Sequence, residues 1–441
     1  MPHKYIPNQE SERKTMLDKI GLNSEDELFS CIPEGVKFKR ELALEKKSNE
    51  IEVTKRLKHL ASENVDTCTH ISFIGAGVYD HHVPSVIDPI VSRSEFYTSY
   101  TPYQPEISQG TLQSIFEYQT AICNLTNMDI SNASMYDGAS ALYEACSLSI
   151  SHKKINRIIL FSSIHPEYIE VVKTGLAPHK TRIELAFDMD SLLSLLSEPC
   201  ACIALQSPDF YGNIQDIERL TKLAKEHGCL SIFSVDPISL GLLEPPGSYG
   251  ADIVVGDGQP LGCYMNLGGP HFGFFCTSKD LMRKIPGRIV GKTTDIDGKD
   301  GYVLTLQARE QHIRREKASS NICSNHSLCA LRGLIYLSVV GREGLFQIAS
   351  DCAAKAQYLK EALIHTGFFE EARKGPIFKE FALKSKLDIS LLNDKLFNRG
   401  FIGGLHLKKE DYWLLAVTEK RTYKELDDFI GEVERICKEN H

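Results

Sequence analysis

The stretch ACIALQSPDFYGNIQDIERLTKLAKEHGCLSIFSVD (residues 201–236) predicts a strand, a helix and a second strand. Residues 201–207 and 229–236 are short apolar runs, typical of buried strands. Residues 216–228 have a helical pattern and end at Gly228, a residue type that often follows a helix. The stretch therefore predicts one strand–helix–strand unit of a parallel sheet.

Further apolar runs of the same kind lie on both sides of this unit, at residues 157–163, 182–187 and 251–257. Helical patterns separate the runs, and such alternation is typical of a doubly wound, mostly parallel sheet. The sequence thus predicts an α/β fold. In such sheets ligands bind beyond the carboxyl ends of the strands, so residues at those ends are the first candidates for chemistry.

The sequence changes character towards its two ends. Residues 1–68 are charged and helical in pattern. From Ser338 onwards a helix, a strand, a second helix, two strands and a closing helix are predicted, which is the pattern of a small α+β domain. We therefore expect an N-terminal helical segment (1–68), a large α/β domain (69–337) and a small C-terminal α+β domain (338–441).

The composition bounds the function classes. The 441 residues carry a formal net charge of −8, which argues against a nucleic-acid-binding surface. The 13 cysteines are odd in number and scattered, as in reduced cytoplasmic proteins, and the pair Cys200 and Cys202 lacks the second pair that zinc needs. No signal-peptide pattern and no membrane-length apolar run is present. We expect a cytoplasmic protein without a metal site and without a membrane partner.

A second notable stretch is the tyrosine arm, residues 97–104, in which Tyr97, Tyr100 and Tyr103 recur at every third position. Pro102 and the proline after Gln104 disfavour helix, so the arm is predicted to be extended, with its phenols along one edge. Such an arm suits either of two roles. It delivers hydroxyl groups to a fixed place, or it is a packing loop.

Asp236 and Gln259 follow two neighbouring predicted strands. A carboxylate at such a strand end is placed to meet the ring nitrogen of pyridoxal phosphate, although a turn-capping aspartate fits the pattern as well. In a pyridoxal enzyme of this architecture the second position holds the lysine that binds the cofactor covalently. Gln259 has no amine and cannot form that bond.

The segment AREQHIRREKASSN (308–321) contains the strongest cluster of charge. On one helix Arg309, His312 and Lys317 cannot share a narrow face. The segment is therefore either a solvated surface or an anion-binding wall for a carboxylate or an acidic partner.

Four separated motifs together resemble one family: FYTSYTPYQPEISQG (96–110), GGPHFGFF (268–275), GRIVGKTTD (287–295) and LQAREQHIRREKASSNIC (306–323). The family is the pyridoxal-phosphate-dependent glycine decarboxylase of the glycine cleavage system, the P-protein. The resemblance extends from about Tyr5 to the C-terminus and implies a fold type I, aminotransferase-like architecture. Some members are one long chain with two related halves, others are two subunits, and this chain corresponds to the N-terminal half.

In that family the cofactor lysine lies in the other half, and Gln259 stands at the corresponding position here. The resemblance also implies that Tyr211 replaces the histidine that stacks on the cofactor, and that Asp236 is a vestige of the pocket. The chain would then bind a lysine-bearing subunit 2, which holds most of the pyridoxal phosphate, in a tetramer with two copies of each. The implied reaction decarboxylates glycine and transfers the aminomethylene group to the lipoyl arm of H-protein, with T-protein and L-protein as functional partners.

Since the strongest resemblance lies in segments outside the lost pocket, we expect them to border the partner's active site. The candidates are Tyr97, Tyr100, Tyr103, Gln104, Arg309 and His312. Two other readings stay open. The chain is an autonomous pyridoxal enzyme that uses another lysine, such as Lys279 or Lys292, or it is a non-catalytic scaffold that stabilises its partner.

Overall fold

The computed structural model describes residues 5, 8–266, 268–318, 320–322 and 326–440. The chain forms two compact units, residues 1–64 and residues 65–441. In the first unit, two helices begin with reciprocal side-chain caps and bury none of their residues, which agrees with their charged sequences. No helix within the described residues is long and apolar enough to cross a membrane.

The helices of the described residues are α1 Glu10–Ile20, α2 Glu50–Ser62, α3 Ile87–Val91, α4 Ser94–Tyr97, α5 Gln109–Thr126, α6 Gly138–Lys153, α7 Pro166–Leu176, α8 Met189–Leu195, α9 Ile217–Glu226, α10 Gln311–Arg314, α11 Ser327–His365, α12 Ile389–Phe397 and α13 Tyr423–Glu439. The strands are β1 Ile71–Ser72, β2 Ile130–Ser131, β3 Arg157–Phe161, β4 Arg182–Ala186, β5 Cys202–Ser207, β6 Leu230–Val235, β7 Ile253–Asp257, β8 Gly273–Thr277, β9 Ile289–Thr294, β10 Asp300–Thr305, β11 Phe369–Glu371, β12 Glu380–Ser385, β13 Phe401–Ile402, β14 Leu405–Leu407 and β15 Tyr412–Ala416.

The second unit is built on a seven-stranded sheet with the order β2-β8-β7-β6-β5-β3-β4. The five strands from β7 to β4 are parallel, and β8 and β2 complete the sheet at one edge, with β8 antiparallel to both of its neighbours. Every residue of β3 and β6 is buried, as expected for strands covered on both faces by helices. The five strands predicted from apolar runs are all present, which confirms the predicted α/β class.

The C-terminal part contains a four-stranded antiparallel sheet with the order β11-β12-β15-β14. Helices α12 and α13 cover it, and Trp413 and Phe429 lie at the centre of its core. The elements predicted from Ser338 onwards are therefore present, and they form a smaller layer structure with a core of its own.

Two elements cross the predicted boundaries of this C-terminal part. Strand β1, assigned to the large domain from sequence, pairs with β13, and Phe73 joins the C-terminal core. At the other boundary α11 continues past residue 338, with a kink at Gly341 (φ 59°). Its side chains belong to the large core up to Cys352 and to the C-terminal core from Ala356. Sequence pattern could not locate these points, because a two-residue strand and a continuous helix carry no boundary signal.

Candidate functional site

The carboxyl ends of β6 and β7 place Asp236 and Asp257 at one edge of the central sheet, because the two strands pair in parallel. A cavity of about 40 Å³ lies at this edge. Tyr79, His165 and Pro260 line it together with the two carboxylates. A cavity needs about 10–15 Å³ to hold one water molecule, so this space admits a few waters.

Gln259 lies beside this cavity with only 1% of its surface exposed. Its Oε1 accepts a hydrogen bond from the Tyr79 backbone N–H (3.0 Å), and its Nε2 donates to the backbone carbonyls of Tyr79 (3.0 Å) and Cys263 (3.0 Å). The carboxamide therefore links two backbone segments, and its donors and acceptor are turned away from any ligand. The ammonium group of a lysine has no acceptor and could not accept the hydrogen bond from the Tyr79 backbone N–H.

Asp236 forms an ion pair with Lys379, whose side chain is 2% exposed. The Lys379 Nζ also lies 3.6 Å from the centre of the Tyr79 ring. Asp236 Oδ1 accepts a hydrogen bond from the backbone N–H of Ile238 (2.9 Å). Asp236 was expected to have little to do without a cofactor lysine. In the structure it neutralises a buried cation that arrives from the C-terminal domain.

A hydrogen-bonded chain extends from Lys379 to Glu419. Lys379 Nζ lies 2.9 Å from His81 Nε2, and His81 Nδ1 lies 2.6 Å from Glu419 Oε2. Because an ammonium group can only donate, Nε2 accepts and Nδ1 donates to Glu419. Cys352 lies beside Glu419, so His81, Cys352 and Glu419 are close enough together to resemble a metal site. Both ring nitrogens of His81 are already engaged, and we interpret the cluster as a hydrogen-bonded network.

Glu380, next to Lys379 in sequence, holds the loop that carries Tyr79. Its two carboxylate oxygens accept hydrogen bonds from the Ala76 backbone N–H (2.7 Å) and from the Tyr79 hydroxyl (2.7 Å). Burial raises the pKa of Glu380 to about 7 in spite of these bonds. The loop has no room for larger residues, since a Cβ on Gly75 would lie 2.4 Å from Glu380 Oε1.

The N-terminus of α6 also faces this edge of the sheet, where a phosphate group could bind. Its donors are occupied by two carboxylates of the protein. Asp137 Oδ1 accepts from the Ser140 backbone N–H (2.7 Å), and Asp257 Oδ2 accepts from the Gly138 backbone N–H (3.1 Å). Burial raises the pKa of Asp257. These two negative groups disfavour a bound phosphate.

The structure places His165, and not Tyr211, beside Asp236. Tyr211 does not line the cavity beside Asp236, and the imidazole that does is His165. Tyr211 packs in a separate cluster, with the guanidinium of Arg373 3.8 Å above its ring. The ring of His165 stacks on Tyr168 at 4.9 Å. His165 follows strand β3 and Tyr211 follows the neighbouring strand β5. The sequence of one chain does not show which of these two rings lies beside Asp236.

The tyrosine arm is exposed and is only partly extended. Tyr97 ends the short helix α4, contrary to the predicted extended backbone, and the chain leaves the helix after Thr98. Tyr97 is 70% exposed and Tyr100 is 77% exposed, which contradicts the packing-loop reading for these two residues. Gln104 is also exposed and precedes a short 3-10 turn.

Tyr103 anchors the arm to the charged segment. Its hydroxyl accepts a hydrogen bond from Arg288 Nη2 (2.9 Å), and its ring meets that of His312 edge-on at 5.3 Å. Glu310 lies 3.6 Å from Arg288 and 3.5 Å from His312. The structure thus brings together Tyr103 and His312, two candidates that are far apart in sequence. Arg288 and Glu310 support them and were not singled out from sequence.

Arg309 lies apart from His312, because residues 307–309 form a 3-10 turn before the four-residue helix α10. Arg309 faces a different cavity, which it shares with Lys317. The alternative cofactor lysines gain no support. Lys279 is exposed, and Lys292 forms an exposed ion pair with Asp300 (2.7 Å) that raises the pKa of its ammonium.

The most important residue that sequence reasoning missed is Lys379. It begins a run, KEFALK, in which a lysine and a glutamate precede apolar residues, and this pattern is equally typical of a strand that starts at the surface. The sequence contains no specific sign of the role of Lys379, because only the tertiary fold brings its ammonium group to the carboxylate of Asp236.

The sequence matches the family described as glycine cleavage system P-protein over residues 3–433. The chain belongs to the glycine cleavage system P-protein family. It is 47% identical to a probable glycine dehydrogenase (decarboxylating) subunit 1 from Anoxybacillus flavithermus, over 98% of this chain and 99% of that protein. It is 46% identical to the protein of the same name from Bacillus cytotoxicus, over 99% and 100% of the two chains.

A crystal structure of a P-protein family member, glycine decarboxylase of the glycine cleavage system in inhibitor-bound form, has a TM-score of 0.89 and 37% identity to this chain. The match covers 98% of this chain and 100% of the other. The glutamate decarboxylase of Lactobacillus brevis is similar in fold alone, with a TM-score of 0.69 and 14% identity over 91% of this chain and 96% of the other. These similarities confirm the fold type I architecture of pyridoxal-phosphate-dependent enzymes.

In the chain described by our structure, the residues around Asp236 and Gln259 do not form a binding site for pyridoxal phosphate. Gln259 takes the place of an amine, Lys379 already neutralises Asp236, and Asp137 caps the helix end that would receive the phosphate. The space that remains, about 40 Å³, holds a few water molecules. The pocket is filled by the protein's own side chains.

Glu419 leads to a prediction about acid stability. Burial by itself raises the pKa of Glu419, but the hydrogen bonds donated by His81 Nδ1 and by the His82 backbone N–H hold it at about 2. The folded pKa is thus below the unfolded value of about 4.3, so the carboxylate stabilises the fold above that value by about 3 kcal/mol. This contribution is lost as pH falls from about 4.5 to 2.

We expect Glu419→Gln to lower the free energy of unfolding near neutral pH, with a deficit that shrinks in acid. Urea unfolding of the wild type and the variant at pH 6, 4 and 3 measures the two free energies. Glu434→Gln, which removes a half-exposed carboxylate of α13, is the control and should have a small effect at every pH. A deficit for Glu419→Gln that does not change with pH would contradict this assignment.

Proposed function

We propose that this chain is subunit 1 of a glycine decarboxylase and acts with a lysine-bearing subunit 2, which holds most of the pyridoxal phosphate. The observation that carries the proposal is the filled pocket, above all the three backbone hydrogen bonds of Gln259. A relative over nearly the full length bears the name subunit 1, in agreement with this division.

The proposed reaction is the decarboxylation of glycine and the transfer of its aminomethylene group to the lipoyl arm of H-protein. The complex contains two copies of each subunit and works in the cytoplasm, together with T-protein and L-protein. The cofactor supplies the electron sink for the decarboxylation. This chain contributes a wall that excludes water and presents hydroxyl groups and cations to the partner's site.

The tyrosine arm is the part of the chain that we assign to that wall. Tyr97 and Tyr100 are largely exposed, and Tyr103 is held by Arg288 and His312. An exposed pair of phenols on an anchored segment is suited to contact a second subunit, because tyrosine combines a large apolar face with a hydroxyl. We therefore place Tyr97, Tyr100 and the neighbouring Gln104 at the border of the partner's active site.

Reconstitution from purified subunits tests whether this chain needs subunit 2 for catalysis and for binding of the cofactor. Purified chain, purified subunit 2 and their mixture are assayed for glycine-dependent exchange of labelled bicarbonate in the presence of H-protein. We expect exchange only in the mixture. Treatment of each chain with pyridoxal phosphate and borohydride should label subunit 2 and leave this chain unlabelled, since Lys279 and Lys292 are surface lysines without a cofactor pocket. Exchange by this chain alone, or a stoichiometric label on it, would show an autonomous enzyme.

Tyr100→Phe tests the arm within the assembled complex. If the hydroxyl makes a hydrogen bond at the partner's site, its loss should lower turnover up to about tenfold, the worth of one such bond, without preventing assembly. Tyr423→Phe, an exposed tyrosine at the start of α13, is the matched control and should keep wild-type turnover. Size-exclusion chromatography monitors assembly. Weaker assembly with normal turnover of the assembled complex would instead favour the non-catalytic scaffold.

A further inference from the structure

A second cavity lies between α6 and two basic segments, away from the filled pocket. It has a volume of about 210 Å³. Residues Glu144, Ser147 and Ser151 of α6 form one wall. The other walls come from the turn that contains Arg283 and from residues 309–317. It is several times larger than the space beside Asp236.

Five cations line this cavity: Arg283, Lys284, Arg309, Arg314 and Lys317. None of the five forms an ion pair within the described residues, where most buried cations are paired with carboxylates. Among the described residues of the lining, Glu144 is the one acid, and its carboxylate accepts a hydrogen bond from Ser320 Oγ (2.8 Å). Burial raises the pKa of Glu144 to about 7, so the cavity keeps a large excess of positive charge at neutral pH.

Arg309 is the side chain that most clearly lacks a partner. Its Nη1 donates to the backbone carbonyl of Ile285, whereas Nε and Nη2 are buried and have no hydrogen-bond partner in the described part of the chain. Burial lowers the pKa of this guanidinium. Buried donors without partners are costly, and an arginine fork with open donors matches the oxygens of a carboxylate or a phosphate.

We propose that this cavity binds a compact oxyanion, the phosphate or carboxylate group of a small molecule, with Arg309 as its central ligand. Lys284 and Lys317, which are exposed at the rim, attract the anion and hold it by charge. The site is small and bounded by α6, and the chain as a whole carries a net charge of −8, so an extended polyanion such as a nucleic acid does not fit. This site goes beyond the proposed function, which assigns no ligand to the chain itself.

Isothermal titration calorimetry of the full chain with inorganic phosphate tests the proposal, at constant ionic strength kept with sodium chloride. A separate titration with acetate distinguishes a carboxylate from a phosphate ligand. We expect saturable binding at one site per chain for at least one of the two anions, and the tighter anion identifies the ligand class. The absence of saturable binding for both would overturn the proposal.

Variants locate the site. Arg309→Gln should weaken binding at least tenfold, and Lys284→Gln should weaken it severalfold without disturbing the buried wall. Lys424→Gln removes the same charge from an exposed position on α13 and should leave binding unchanged. Equal weakening in Lys284→Gln and Lys424→Gln would show diffuse attraction and overturn the proposal.

The same titration on the complex with subunit 2 completes the test. Binding should persist there, because the ligand is a small molecule. Loss of binding on assembly would mean that a group of the partner fills the cavity, and it would also overturn the proposal. The outcome is independent of the exchange assay, so it does not depend on the assignment of the filled pocket.

Discussion

Replacement of Lys379 by methionine should lower the free energy of unfolding by about 3–5 kcal/mol, the range for breaking a buried ion pair from one side. Lys379 is 2% exposed, and its ammonium neutralises Asp236 and donates to His81. Methionine fills a similar volume but leaves the mostly buried carboxylate of Asp236 without its cation. Urea unfolding followed by circular dichroism measures the loss.

Two further variants make the result specific. Lys222→Met breaks an exposed ion pair with Glu218 (2.6 Å) and should cost less than about 1 kcal/mol. The double variant Lys379→Met with Asp236→Asn removes both charges and should be more stable than Lys379→Met alone, since no unpaired charge stays buried. If Lys379→Met is as stable as Lys222→Met, the buried network is not a stabilising link between the sheet and the C-terminal domain.

The second large effect concerns Gln259. Gln259→Lys restores the residue type that a pyridoxal enzyme needs, yet we expect no covalent bond to pyridoxal phosphate, because Lys379 already pairs with Asp236 and Asp137 caps the helix end that would hold the phosphate. The variant should also lose at least about 3 kcal/mol of folding free energy. The backbone N–H of Tyr79 loses its acceptor, the hydrogen bonds to two carbonyls are disrupted, and a charge enters a site that is 1% exposed.

Borohydride labelling and urea unfolding measure the two parts of this prediction separately. Gln113→Lys, the same substitution at an exposed position of α5, should change the free energy of unfolding by no more than about 0.5 kcal/mol. A stable Gln259→Lys variant that is labelled in stoichiometric amount would show that the pocket opens readily and that its filling is not structural.

The extent of sequence prediction is clear from particular elements. The strands β3, β5, β6 and β7 were predicted because they are almost wholly buried, and such burial produces an apolar run that is visible locally. Strand β4 has a similar run although it is only partly buried. The pairing of strand β1 with β13 was not predicted, because the two strands lie far apart along the chain. The prediction that the whole tyrosine arm is extended was partly wrong. Tyr97 is the last residue of helix α4, and it precedes the first proline of the arm by five residues.

At the candidate site, too, some features follow from the sequence and others only from the tertiary structure. The sequence by itself determined that Gln259 cannot bind a cofactor covalently, because that depends on the chemistry of one side chain. It also identified the family, because four long motifs in one order are rarely shared by chance. Only the tertiary structure decided that Lys379 takes the charge of Asp236, that His165 rather than Tyr211 borders the cavity, and that Tyr103 meets His312. These are contacts between side chains of distant segments, and their energies depend on burial and distance, which no local pattern encodes.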